Sequence, residues 1–162
     1  MHQGRSEGMD VDTLLAQTAP DIVGALVGAP AKAVTEIPVY EPSNRRALVA
    51  MSGLQGDLNG VLSVRCSRET AEKLFDHVVQ GNAAKTEDSI RDLMAELLNL
   101  LVGQLKANLM YQGKTVQHSL PSVFSEDEGG GAIDMLAGST PIILETEVGP
   151  LEVQFTPVEE AY

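Results

Sequence analysis

The sequence predicts an α+β domain of two similar halves, each a long helix with three antiparallel strands, that share one sheet with the helices packed on it. Its 162 residues suit a single domain, and 43% of them are hydrophobic, which is enough to fill a core. Helical and strand-like segments follow the order helix, three strands, short helix, long helix, three strands. The second half therefore repeats the order of the first.

The first half begins with a helix over residues 11–27, where apolar residues recur at helical spacing around Pro20. Extended runs follow at residues 33–40, 46–53 and 59–67, separated by the turn sequences EPSN and GDLNG. We expect them to form an antiparallel meander. In the third run Leu62, Val64 and Cys66 share one face, which predicts that Cys66 is a core residue rather than a nucleophile.

Two helices open the second half. Ser67 can cap a short helix that runs through Gln80, where Gly81 and Asn82 follow. Thr86 marks the start of the longest periodic segment, which continues to Gln112.

Three strands are expected after the long helix, at residues 114–124, 139–148 and 151–158. The last two are predicted to join at Gly149-Pro150 as a tight hairpin. The final strand would have a free side unless another segment covers it, and an open edge invites pairing with a second copy. We therefore expect a homodimer.

The charge of the chain argues against two classes of partner. Eleven Lys and Arg against 23 Asp and Glu give a net charge of −12, which repels nucleic acid and anionic lipid head groups. No apolar run reaches the roughly 18 to 20 residues that span a bilayer, and the single cysteine fits a reducing compartment. We expect a cytoplasmic protein, with residues 1–9 as a flexible leader or cloning remnant and residues 10–162 as one domain.

Common enzyme motifs are missing from the sequence. It has no phosphate-binding glycine loop, no nucleophile elbow and no H-E-x-x-H zinc motif. His2, His77 and His118 are far apart in sequence and lack ligand-like spacing with Cys66. We expect no metal or other cofactor to be bound by this chain.

One polar line stands out on the long helix. At about 100° per residue, six residues fall on a single stripe: Asp92, Glu96, Asn99, Gly103, Lys106 and Met110. Leucines, Met94 and Val102 occupy a wide apolar arc outside it, so we expect the helix to be embedded on nearly all other sides. Glu96 and Asn99 lie three residues apart, a spacing that lets both side chains engage one partner.

The pattern E-x-x-N is weak evidence when taken alone. With 14 Glu and 5 Asn in 162 residues it should arise by chance about 0.4 times. A second copy, Glu41-Pro42-Ser43-Asn44, lies in a proline-containing turn and cannot present both side chains from one helix face. The pattern therefore leaves open whether the helical copy is a site or a solvated face.

A wider set of motifs resembles the CheX branch of the CheC/CheX/FliY family of chemotaxis phosphatases. The resemblance rests on Asp92-x-x-x-Glu96-x-x-Asn99 in a long helix, with Gly103 one turn later. A downstream Ser119-Leu120-Pro121 and the glycine-marked hairpin Gly53-x-x-Gly56-x-x-x-Gly60 support it, as does the Ala71-x-x-Leu74 helix. The first helix lacks a Glu and Asn in register, so the resemblance implies one site per chain and a CheC/CheX-like fold.

This resemblance implies hydrolysis of the aspartyl phosphate of a CheY-like response regulator. Asn99 would orient the attacking water, and Glu96 would pair with a lysine of the partner. Asp92 and Gly103 would serve in docking. The phosphoryl group and Mg2+ would belong to the partner, which fits the lack of metal motifs in this sequence.

A non-catalytic alternative stays open. The same fold could act as a protein-interaction module, like the flagellar-switch proteins of the wider family or a signalling scaffold. For the phosphatase we expect transient, salt-sensitive association, because a response regulator has an acidic phosphorylation pocket and this chain is also acidic. The non-catalytic module would instead form a stable complex.

Overall fold

A computed structural model describes residues 10–34, 47–127, 136 and 139–158. The predicted leader 1–9 and the second E-x-x-N copy at 41–44 lie outside these residues. The helices are α1 Val11–Val27, α2 Arg68–Val79 and α3 Glu87–Tyr111. The strands are β1 Lys32–Val34, β2 Leu48–Gly56, β3 Gly60–Cys66, β4 Val116–His118, β5 Ser122–Ser125, β6 Ile142–Glu145 and β7 Leu151–Pro157. No helix in the described part is long and apolar enough to cross a membrane.

All three helices begin where the sequence predicts. The side chains of Asp10, Ser67 and Thr86 each accept a hydrogen bond from a backbone N–H in the first turn of the helix that follows. Gln80, the predicted end of α2, adopts a left-handed conformation with φ of 51°. Local capping therefore determines the helix boundaries.

The strands form one antiparallel sheet in the order β1-β6-β7-β3-β2-β4, and β5 also pairs with β2. If β4 and β5 count as one interrupted strand, each half of the chain contributes three strands. Replacing each strand of one half by the corresponding strand of the other half then gives the same order read backwards. The two predicted halves thus share the sheet by interleaving their strands.

Interleaving corrects two predictions about neighbouring strands. The first three strands do not form a meander, because β1 pairs with β6 and only β2 and β3 are adjacent. β7 is not an edge strand, since it pairs with β6 on one side and with β3 on the other. Pairings between distant segments decided both points, and the chain order of strands does not reveal them.

The predicted strand at residues 114–124 is interrupted in the middle. Leu54 lies opposite His118, whereas Met51 lies opposite Ser122. Two residues of β2, at 52 and 53, therefore face three residues, at 119–121. Ser119 bonds with Gly53, and Pro121 has no N–H to donate to the ladder. Leu120 is thus the extra residue of a β-bulge.

The final hairpin has a longer connection than predicted. β6 and β7 pair from Leu144 opposite Leu151 to Ile142 opposite Val153. The loop between them spans residues 146–150 and is held by Thr146, whose hydroxyl donates to the Gly149 carbonyl at 2.7 Å. The pairing was predicted correctly, but the loop is not a two-residue turn.

The main core lies between the helices and one face of the sheet. Leu62, Val64 and Cys66 all point into it and are fully buried, as their alternation predicts. Burial, reinforced by nearby Glu152, raises the pKa of the Cys66 thiol to about 12 although Arg68 acts in the opposite direction. Cys66 is therefore an inert core residue.

Candidate active site

The candidate site lies on α3, a helix fixed at its start and along one side. Thr86 and Ser89 form a capping box, in which each side chain accepts a hydrogen bond from the backbone N–H of the other. Eight apolar residues anchor the helix in the core: Ile90, Met94, Leu97, Leu98, Leu101, Val102, Leu105 and Leu109. The opposite side is consequently a rigid surface.

The structure places the predicted site residues on that surface. Asp92, Glu96, Asn99 and Gly103 are all exposed. Residues three apart on a helix have Cβ atoms about 5–6 Å apart, so Glu96 and Asn99 can reach one partner together. Within the described part of the chain, neither side chain has a hydrogen bond or an ion pair. A carboxylate acceptor and an amide, which both donates and accepts, thus face outward side by side.

The exposed arc of α3 is wider than the predicted thin line. Leu100, expected inside the apolar arc, is 43% exposed, and Gln104 and Ala107 are exposed as well. Measured around the helix axis, the arc bounded by Lys106 on one side and Gln104 on the other covers about 160°. The helix therefore offers a broad ridge rather than a narrow line.

The β4–β5 segment runs along one flank of this ridge. Near its start, the Lys106 amine lies 3.1 Å from His118 Nδ1, and near its end the Arg91 guanidinium donates to the Val123 carbonyl at 3.4 Å. The helix rises about 22 Å from Arg91 to Lys106, and the strand segment from His118 to Val123 extends about 16 Å, so the two run side by side over this stretch. The bulge at 119–121 must therefore pass the middle of α3, where Asn99 lies on the side facing the strand.

The ridge is not itself a binding cavity. Clefts of about 420 Å³ and 270 Å³ occur elsewhere, at the β2–β3 turn and on the sheet face away from the helices, and no α3 residue lines either one. In the described residues no cluster of three or more His, Cys, Asp or Glu is arranged to hold a metal ion. A protruding pair of polar groups suits insertion into a pocket of another molecule.

An ion-pair network fixes the start of α3 against α2. The Glu87 carboxylate pairs with Arg68 of α2 at 2.7 Å and accepts from Arg91 Nε at 2.7 Å. These hydrogen bonds, that of Arg68 first, lower the pKa of Glu87 to about 2. The anchored end lies less than two turns before Asp92, so it sets the direction of the ridge.

Comparison with protein-family models identifies the family of this chain. The model described as chemotaxis phosphatase CheX matches residues 48–147, which are 100 of the 162 residues. The chain belongs to the CheX family. The matched region contains all of α3 and the bulge at Leu120.

Solved CheX structures share the fold at low sequence identity. A CheX of Desulfovibrio desulfuricans is 18% identical, with 93% of this chain and 100% of that one covered and a TM-score of 0.68. A CheX of Vibrio vulnificus is 15% identical, with 90% and 94% covered and a TM-score of 0.67. The CheX–CheY–BeF3–Mg2+ complex of Borrelia burgdorferi matches at 16% identity, with 94% and 100% covered and a TM-score of 0.66. No curated protein sequence matches this chain.

Within this CheX family member, sequence reasoning missed two features near the ridge. The Glu87 network could not be predicted because it depends on contact between α2 and α3. Only its pair within one helix, Glu87 and Arg91, has a recognisable i, i+4 spacing. The exposure of Leu120 depends on the bulge, although the proline that follows it inside the predicted strand 114–124 is a usable signal of an interruption.

Proposed function

We propose that this chain hydrolyses the aspartyl phosphate of a CheY-like response regulator. The observation that supports this most is the outward-facing pair of Glu96 and Asn99, without partners in the described residues, on a helix that is otherwise anchored in the core. Membership of the CheX family supplies the reaction class. The Borrelia CheX was crystallised with CheY, which makes a CheY-like protein the proposed partner.

Asn99 acts by positioning in this proposal. Its amide enters the phosphorylation pocket of the partner and holds a water in line with the P–O bond. The water oxygen then bonds to phosphorus while the bond to the aspartate oxygen breaks, which yields phosphate and a free carboxylate. A neutral amide takes no proton, so the water's protons pass to phosphate or solvent.

Glu96 holds the partner in the correct orientation. Its free carboxylate forms an ion pair with a lysine of the regulator, and the pair becomes stronger as the interface excludes water. Mg2+ and the phosphoryl group belong to the regulator, so this chain supplies neither a cofactor nor a nucleophile.

Asp92 and Gly103 flank the pair and are assigned to docking. A Cβ built on Gly103 meets no atom within 4 Å in the structure, so packing inside this chain does not explain the glycine. Glycine inside a helix costs about 1 kcal/mol relative to alanine. Close approach of a partner at this point accounts for it.

The test is phosphate release from the phosphorylated receiver domains of the source organism. Asn99→Ala should abolish release with folding intact, because an exposed amide without partners contributes little to stability. Asn108→Ala is the matched control, since Asn108 lies on the same helix and bonds with Gln104 outside the stripe. Unchanged turnover in Asn99→Ala would refute the proposed mechanism. A stable complex without hydrolysis by the wild-type chain would instead identify a non-catalytic interaction module.

We also propose that the protein acts as a homodimer in the cytoplasm, where response regulators reside. Family membership supports the place of action, and β1, which pairs on only one side among the described strands, offers a surface for a second copy.

A further inference from the structure

Leu120 is the most exposed large aliphatic side chain beside the ridge. It is 87% exposed, compared with 67% for Met110 and 43% for Leu100. As the extra residue of the bulge it has no partner opposite it in β2. Bulges re-aim side chains and are common next to active sites. The core gains nothing from this leucine.

The backbone that carries Leu120 is held firmly on both sides. The Ser119 N–H donates to the Gly53 carbonyl at 3.0 Å, and the Ser119 hydroxyl accepts from the Gly53 N–H at 2.9 Å. The Ser52 hydroxyl donates to the Ser119 carbonyl at 2.7 Å. Pro121 restricts the backbone on the other side. Little backbone entropy remains to be lost when Leu120 becomes buried by a partner.

The position of the bulge links Leu120 to Asn99. The contacts of Lys106 with His118 and of Arg91 with Val123 bracket the segment, so Leu120 passes the middle of α3 on the side where Asn99 lies. A protein that receives the Asn99 amide in a pocket is therefore expected to reach Leu120 as well.

We propose that Leu120 is an apolar docking anchor that contacts the receiver domain next to its phosphorylation pocket and helps to select the regulator. This inference rests on the proposed function for its choice of partner. With a net charge of −12, the chain gains little from long-range attraction to an acidic pocket. Burial of an aliphatic side chain carried by a fixed backbone supplies affinity that does not depend on charge.

The experiment measures the affinity of the full chain for receiver domains loaded with beryllofluoride and Mg2+, with steady-state phosphate release alongside. Leu120→Ser should weaken binding about tenfold, which is what loss of one buried leucine contact predicts. The loss in kcat/KM should come from KM, whereas Asn99→Ala should lower kcat. Leu120→Met should restore the affinity because it keeps the apolar volume.

Val78→Ser is the matched control, because Val78 is an exposed aliphatic residue on α2 and is not part of the ridge. Its affinity should equal that of the wild-type chain. Equal affinity of Leu120→Ser and wild type would overturn the inference. The inference would also be overturned if Leu120→Ser changed the oligomeric mass measured by light scattering but left the receiver affinity unchanged. Leu120 would then belong to a contact between copies of this chain.

The two proposals can fail separately. Tight binding that depends on Leu120 but comes without phosphate release refutes the proposed function and supports the anchor. Phosphate release that depends on Asn99, with an affinity indifferent to Leu120, refutes the anchor alone. Absence of saturable binding to every receiver domain of the source organism refutes both.

Discussion

Gly103 shows how a single exposed residue can be informative about function. An alanine there would meet no neighbour within 4 Å and would adopt helical geometry without strain. The glycine is therefore the less stable choice for the isolated chain by about 1 kcal/mol. Such a cost at an exposed position, one turn beyond Asn99, is consistent with a contact that only a bound partner makes.

We expect Gly103→Ala to be more stable and less active. The gain of about 1 kcal/mol should raise the melting temperature by about 2–4 °C for a chain of this size. The kcat/KM for a phosphorylated receiver domain should fall about tenfold if the added methyl group displaces a close backbone contact. Asn108→Ala, on the same helix but outside the ridge, is the control. A stabilised Gly103→Ala with unchanged kcat/KM would remove Gly103 from the docking surface.

At the scale of elements, the junction of α2 and α3 determines how the ridge is held. Glu87 bridges Arg68 of α2 and Arg91 of α3. Its carboxyl group has an ordinary pKa of 4.5 in the unfolded chain and a pKa of about 2 in the folded one. The network therefore stabilises the fold fully above about pH 4.5, and this contribution disappears as the pH falls toward 2.

Glu87→Gln should lower the free energy of unfolding at pH 7 by about 1 kcal/mol or less, because the carboxylate is nearly half exposed and screened by solvent. The difference from wild type should shrink as the pH falls through 4.5 and vanish near 2. Glu69→Gln, at an exposed glutamate in the first turn of α2, is the control. Urea unfolding at several pH values measures both variants. A difference that stays constant with pH would mean that the ion pairs are not its cause.

At the scale of the whole molecule, the sheet leaves two sides open among the described strands. One side ends at β1, and the other ends at β4 and β5. The proposed partner covers the second side, because Leu120 lies in the bulge between β4 and β5. Edge pairing with a second copy is therefore expected at β1, and not at β7 as the order of strands in the chain predicts.

Light scattering should give twice the mass of the chain, with dissociation only on dilution. Lys32→Pro and Val34→Pro should each lower the dimer fraction if the replaced N–H lies on the free side of β1. The N–H groups of residues 32 and 34 point to one side of β1, and that of Ala33 points to the other. If the first side is the free one, Ala33→Pro removes a donor from the side that pairs with β6 and serves as the comparison. A monomeric mass at every concentration used in the activity assay would contradict the prediction.

Local patterns predicted much of this fold and of the candidate site. Capping by Ser67 and Thr86, the alternation of Leu62, Val64 and Cys66, and the spacing of Glu96 and Asn99 each depend on residues a few positions apart. Periodicity and capping act over one or two turns, so the sequence carries this information directly. The structure adds that both site side chains are exposed, whereas their catalytic role stays a prediction.

Strand neighbours and the bulge were decided only by the tertiary structure. Whether β1 meets β2 or β6 depends on which distant segments bury the most apolar surface together, and no local pattern encodes that choice. The bulge arises because two residues of β2 must match three on the facing segment. The acid and amide were thus readable from the sequence alone, while the exposure of Leu120 in a bulge was decided only when distant strands paired.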